Sequence, residues 1–297
     1  MKVAAAAYPL DWLDSWSQFE DKLAAWVADA AGQGADLLVF PEYGAMELAT
    51  LDGAEAAGDL EQSMWSVADR LEAADAVHLR LAAEYGVHIL AGSGPARSED
   101  PAITRPVNRA RLITPEGAIG IQDKQILVPY ERDPMNMAGG GPLRLFDTSL
   151  GKIGVLICYD SEFPLLGHAL AEADILLVPS ATEARHGYAR VRIGAMARAL
   201  ENQCVAVMSS IIGRAEWNDA VDTSTGRGGV FGPPDRGFPD TGVLAEGAFD
   251  VPAWTCAEFD PALVSGVRAG GAVRNRSHWV EQSGRDHAPE QVCLNGM

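Results

Sequence analysis

Ala35-Asp36-Leu37-Leu38-Val39-Phe40-Pro41 is the stretch that decides the fold. Residues 37–40 form an unbroken apolar run, too short for a helix and closed by a proline that cannot donate to a ladder. Such a run reads as a strand covered on both faces. A helical pattern precedes it: Ser15 is placed to cap a segment in which Trp16, Phe19, Leu23, Trp26, Val27 and Ala30 recur at helical spacing, ending at Gly32 and Gly34. The same order returns in Ala173-Asp174-Ile175-Leu176-Leu177-Val178-Pro179, after a helical segment over 165–173. The echo is either a duplicated half-fold, which would bring both proline-ended tips to one sheet edge, or ordinary α/β punctuation.

Outward from this stretch, residues 3–8 read as a strand and residues from about 59 to 85 as a helix, with Leu60, Met64, Val67, Leu71, Val77 and Leu81 inward. Residues 87–91 read as a strand closed by a Gly92-Ser93-Gly94 turn. The pattern then changes to an antiparallel hairpin, 107–114 and 118–126, around Pro115-Glu116-Gly117. Further strands are expected at 143–146, 153–157, 174–178 and 204–209, with an Ala- and Arg-rich helix over 189–203. Past Gly213 the chain is rich in Gly and Pro, with strands near 229–231, 243–245 and 254–259. With no low-complexity linker, the expectation is one domain over 1–260 and an extension, 261–297, packing on it or on a neighbouring subunit.

Composition narrows the function. Of 297 residues, 47% are hydrophobic and 22% charged, as in ordinary globular proteins. The 23 Lys+Arg against 41 Asp+Glu leave a net charge of −18, which argues against nucleic-acid or anionic-membrane partners. The four cysteines form no CxxC, and the six histidines show no metal-binding spacing. No apolar run approaches the ~18–20 residues that span a bilayer. The opening Met-Lys-Val-Ala stretch meets Pro9 and Asp11 too early for a signal peptide. A reduced, cytoplasmic protein is expected, with no metal.

In α/β sheets ligands gather at the carboxyl ends of strands, and three reactive side chains fall there: Glu42, Lys124 and Cys158. Taken singly, Glu42 is a loop acid, Lys124 a solvated charge and Cys158 a small buried hydrophobe. Taken together, a carboxylate, an ammonium and a thiol form a base, electrophile and nucleophile set.

The surrounding residues resemble the nitrilase superfamily of carbon–nitrogen hydrolases. The resemblance rests on Leu38-Val39-Phe40-Pro41-Glu42, on Asp123-Lys124-Gln125-Ile126-Leu127-Val128-Pro129, on Gly154-Val155-Leu156-Ile157-Cys158-Tyr159-Asp160-Ser161-Glu162-Phe163-Pro164, and on the helix Ala197-Arg198-Ala199-Leu200-Glu201-Asn202-Gln203. These motifs stand in the family's order, up to about residue 258. The cysteine motif looks like that of a branch sometimes fused to an acetyltransferase, for which no room is expected in this chain. The resemblance implies a four-layer α-β-β-α sandwich of two mixed sheets, a homo-oligomer, and hydrolysis of a small amide with no cofactor. It implies Cys158 as nucleophile, Glu42 as general base and acid, and Lys124 as oxyanion stabiliser. The Tyr159 backbone N–H would be a second oxyanion donor, and Glu131, slightly displaced from the family spacing, would orient the lysine.

Physical chemistry supports those roles. A free thiol has a pKa of ~8.5, so attack needs a base or a nearby cation to favour thiolate. Where many members of the resembled family carry an arginine two residues after the aspartate of the cysteine motif, this chain has Glu162. A neutral or cationic amide is therefore expected, although Thr182-Glu183-Ala184-Arg185-His186 offers another cation to an acidic substrate. Tyr43, Tyr159, Glu162, Glu183, Arg185 and His186 are candidate pocket residues; for each tyrosine core packing is the plain alternative, and for His186 a surface loop. A nitrilase or N-carbamoyl hydrolase would keep the same triad, and a transferase would pass the acyl group to an amine. Outside the class stand a cysteine–histidine enzyme using His186 or His168, and a catalytically silent binding protein.

Overall fold

The computed structural model describes residues 1–285 and 287–294. In chain order the elements are β1 (Lys2–Pro9), α1 (Trp16–Gly32), β2 (Leu37–Val39), a 3-10 segment (Gly44–Asp52), α2 (Ala54–Gly58), α3 (Leu60–Tyr85), β3 (His88–Ala96), β4 (Val107–Ile113), β5 (Ile119–Asp123) and α4 (Pro129–Arg132). Then come β6 (Leu145–Thr148), β7 (Gly151–Val155), a 3-10 turn (Cys158–Glu162), α5 (Pro164–Ala169), β8 (Ile175–Ser180), α6 (Arg185–Asn202) and β9 (Val205–Arg214). The remainder holds β10 (Thr223–Ser224), β11 (Gly229–Phe231), β12 (Val243–Glu246), β13 (Ala253–Glu258), α7 (Ala262–Gly270), α8 (Asn275–His278) and a 3-10 turn (Trp279–Gln282). No helix among the described residues is long and apolar enough to cross a membrane.

The helices begin where side chains can take up their free amides. Ser15 accepts from the Gln18 N–H at the start of α1, and Asp59 from the Gln62 N–H at the start of α3. α3 stops at Gly86, whose φ of 65° is left-handed.

The strands run in the order β5-β4-β3-β2-β1-β9-β8-β7-β6, and the six from β3 to β7 are parallel to their neighbours. The expected two sheets are joined at one seam. β1 pairs with β13 from Lys2 to Ala7 and meets β9 only where Ala7–Pro9 lie beside Ser210–Ile212. β9 likewise carries β11 on Ala206–Met208 before it reaches β1. The two halves therefore part at the strand starts and converge at the carboxyl tips.

Alternation along β1 shows the layers. Ala4 and Ala6 pack with Leu23 and Val27 of α1 and Val67 of α3. Val3 and Ala5 join a second core with Val155, Leu177 and Val207 of the other half, which continues to Val191 and Ala195 of α6. The layer order is helix, sheet, sheet, helix, as expected for the sandwich. The two proline-ended stretches occupy matching places: β2 and β8 are each second from the seam and point the same way.

Some elements differ from expectation. Gly92-Ser93-Gly94 is no turn but the middle of β3, whose register against β4 shifts between Ala91 and Gly94. A Cβ on Gly92 would lie 2.8 Å from the Gly44 Cα, so the glycine is there for close backbone approach. β7 ends at Val155, leaving Cys158 to open a 3-10 turn rather than close a strand. α6 starts at Arg185, ahead of the expected 189. The extension packs on the second half: Val264 and Val267 of α7 are buried, and Arg268 reaches Asp174 at 2.8 Å and the Gln203 carbonyl at 3.1 Å. Arg276 pairs with Glu172, so the basic stretch 268–276 is partly neutralised within the chain.

Candidate active site

The convergent tips deliver four reactive side chains to one place. Glu42 stands just past β2, Lys124 directly after β5, Glu131 in α4, and Cys158 just past β7. Glu42, Lys124 and Glu131 are each 1% exposed and Cys158 is 6% exposed.

Cys158 and the residue after Glu42 are conformationally strained. Tyr43 has φ 56° and Cys158 φ 49°, left-handed values that cost a non-glycine residue about 1–3 kcal/mol unless the surroundings enforce them. Here they do. The Tyr43 N–H donates to Ser93 Oγ at 3.2 Å and its hydroxyl to Glu131 at 2.6 Å. The Cys158 carbonyl accepts from Ser161 Oγ at 2.7 Å. Asp160 ties the turn to the lysine segment, accepting from the N–H groups of Gln125 at 3.1 Å and Ile126 at 2.9 Å.

The Lys124 ammonium lies 2.7 Å from Glu42 Oε1 and 2.8 Å from the Glu131 carboxylate. Asn108 Nδ2 donates to the same pair, at 3.0 Å to Glu42 and 3.3 Å to Glu131, while Ser93 Oγ donates to its carbonyl at 2.7 Å. The Ala181 N–H bonds the second Glu42 oxygen at 3.0 Å, and the Cys158 thiol lies 3.6 Å from the Ala181 carbonyl. The second Glu131 oxygen accepts from the Val128 N–H at 2.9 Å. Each charge is thus met by an opposite charge or a donor, without which burial at this depth would be prohibitive.

The environment sets the protonation states. Burial pushes the Glu42 carboxyl up, with Lys124 opposing and Glu131 reinforcing. Burial also pushes the Cys158 thiol well up, and Glu42 adds to this more than Lys124 subtracts. Of the two routes to a thiolate, a base or a nearby cation, this balance favours the base, because the Lys124 charge does not offset burial and Glu42. Burial would lower the pKa of Lys124, but Glu42 and Glu131 outweigh it, and the ammonium stays charged. Burial raises Asp160 to about 7 against its backbone donors.

These groups line a cavity of about 370 Å³, of a size suited to a small molecule. Tyr43, Tyr159, Glu162, Glu183 and His186 line it as well. Arg185 does not join them: it pairs with Asp250 at 2.8 Å and lies over the Phe249 ring at 3.6 Å. The cation that reaches the cavity is Arg190, 3.4 Å from Glu162. His168 stacks on Trp279 at 4.0 Å, lining a larger groove beside α5 that holds none of the four reactive groups. Sequence reasoning missed Asn108, Ser93 and the Ala181 amide, along with Arg190, Asp219 and Asp222. Asn108 lies inside a segment that reads only as strand, and a backbone amide has no letter. No three His, Cys, Asp or Glu side chains among the described residues form a metal-binding group.

Fold and site together define an α-β-β-α protein with a buried carboxylate–ammonium–thiol cluster. The carbon–nitrogen hydrolase family profile matches residues 2–228, and the chain belongs to that family. The chain is 30% identical to "Probable hydrolase YhcX" of Bacillus subtilis over 281 residues, 92% of this chain and 52% of that protein. It is 33% identical to a deaminated glutathione amidase of Yersinia enterocolitica over 147 residues, 45% of this chain and 50% of that protein. The chain spans about half the length of these curated relatives. Among solved structures, a carbon–nitrogen hydrolase from Helicobacter pylori superposes with a TM-score of 0.73 at 17% identity, covering 96% of this chain and 95% of that one.

Proposed function

We propose that the protein hydrolyses a non-peptide carbon–nitrogen bond in a small amide through a thioester on Cys158. The observation that carries this reading is the meeting of Glu42, Lys124, Glu131 and Cys158 in one cavity. Glu42 takes the thiol proton as sulfur attacks the carbonyl carbon. The oxygen gains negative charge beside the Lys124 ammonium and the Tyr159 N–H. The tetrahedral adduct collapses, Glu42 returns the proton to the nitrogen, and ammonia or an amine leaves. Water then gives a proton to Glu42 and attacks the thioester. The second adduct releases the carboxylic acid, and Cys158 regains its proton from Glu42. Glu131 and Asn108 hold the lysine and Glu42 in place throughout. No step needs a metal or organic cofactor.

A nitrile or an N-carbamoyl group would meet the same groups, so the chemistry of the acyl donor is decided by experiment. We place the enzyme in the cytoplasm as a homo-oligomer, which fractionation and sedimentation equilibrium test. For the chemistry, intact mass is measured after exposure to a panel of amides, nitriles and ureides. An acyl adduct on Cys158, absent from Cys158→Ala, is expected. No adduct with any member, or adducts confined to Cys256 and Cys293, overturns the proposal.

A further inference from the structure

The cavity is lined by six carboxylates and two cations. Neither cation is free: Lys124 is held between Glu42 and Glu131, and Arg190 faces Glu162 at 3.4 Å. Glu183, Asp219 and Asp222 line the same cavity with no ion-pair partner among the described residues. With histidine counted neutral, the cavity has no spare cation for a substrate carboxylate, and three spare acids.

A second observation is independent of this charge balance. Ser224, in β10, lines the cavity at 8% exposure, and its hydroxyl has no hydrogen-bond partner among the described residues. The hydroxyl can accept a ligand N–H from inside the cavity. The loop carrying the acids is pinned rather than loose. Buried Asn218 donates to the Ala57 carbonyl at 2.7 Å and to Ser63 Oγ at 2.9 Å, and the Ala215 N–H closes on the Asp222 carbonyl at 3.0 Å. Tyr130 lines the same cavity.

We propose that the cavity selects amides of cationic molecules, holding an ammonium or guanidinium group at Asp219, Asp222 and the Ser224 hydroxyl. As a statement about a substrate, this rests on the hydrolase reading above; as a statement about the cavity's charge, it can be tested without turnover. Cys158 is labelled with three methanethiosulfonate reagents, one bearing trimethylammonium, one a neutral methyl and one a sulfonate. The protein carries Cys256→Ser and Cys293→Ser, and each rate is divided by that of free cysteine. The cationic reagent is expected to lead the anionic one by about tenfold or more at low salt. The gap should narrow as salt rises and shrink severalfold in Asp219→Asn/Asp222→Asn. Equal rates, a faster anionic reagent, or a gap that the double variant leaves intact overturns the charge selection.

A matched series of cationic, neutral and anionic amides completes the test, with kcat/KM expected to be highest for the cationic member. Charge-selective labelling with no acyl adduct from any amide overturns the substrate claim together with the hydrolase reading. Turnover that favours neutral or anionic amides overturns the selection and leaves hydrolysis standing.

Discussion

Glu42 and Cys158 share one proton problem. Burial raises both groups, so the carboxyl binds a proton more readily and the thiol gives one up less readily. The proposed mechanism needs Glu42 ionised in the free protein, and on it kcat/KM should climb with pH through a pKa above the ordinary carboxylate range. A pH–rate profile whose acidic limb lies at or below that range contradicts this. Glu42→Gln, which keeps shape but cannot accept a proton, should lower kcat by about 10²–10⁴-fold. Lys124→Met should cost about 10²–10³-fold in kcat. It should also lower the melting temperature, because two buried carboxylates would then share only the Asn108 amide between them; an unchanged melt speaks against the charge balance drawn here. Asp160 carries a separate pH signature. Folded, it holds a proton to about 7, while an unfolded Asp releases its proton near ~3.9. The proton therefore favours the native state. The contribution is complete below about pH 4 and is lost as pH rises through about 7. Thermal melts should show the stability of the parent relative to Asp160→Asn falling across that window; a flat difference opposes the assignment.

At the scale of elements, β3 shows how a strand can serve the site without contributing a reactive atom. Its Gly92 lets the backbone of the Gly44–Asp52 segment approach, and that segment follows directly on Glu42 and Tyr43. Gly92→Ala would set its Cβ against main-chain atoms at 2.8 and 3.0 Å that cannot swing away. Chemical denaturation should record a loss of about 1–3 kcal/mol, the usual cost of overpacking. Gly32→Ala, at the end of α1 with nothing within 4 Å of the added Cβ, is the control and should change stability little. Equal effects of the two substitutions would remove the steric account. The cap of α1 was legible because capping is local, set by a side chain within three residues of the amide it binds. The bulge at Gly92 was not, because a Gly-Ser-Gly triplet reads as a turn unless the packing of a distant segment is known.

At the scale of the molecule, the β1–β9 seam is what makes a site. Two half-sheets whose strands pair with each other only at the carboxyl tips bring the ends of β2 and β8 close, and the Ala181 amide past β8 bonds the Glu42 carboxylate past β2. The extension belongs to this body through α7. Truncation after Asp260 removes buried Val264 and Val267, worth about 1.5–3 kcal/mol each, and leaves Asp174 without Arg268. It should lower the melting temperature markedly, whereas truncation after Gly284 should leave it nearly unchanged. Similar melts for both would show that α7 adds no stability.

The amino-acid sequence by itself determined the alternation of helix and buried strand, the family resemblance, and the candidacy of Glu42, Lys124, Cys158 and Glu131. Each of these follows from local composition or from a short motif. Tertiary structure alone decided that the four meet, that burial pushes the thiol up, and that Asn108 and a backbone amide hold the carboxylate. It also turned Arg185 outward to Asp250 and brought Arg190 inward. Distances across the seam and the depth of burial arise only when segments far apart in the chain pack together, and no single segment encodes them.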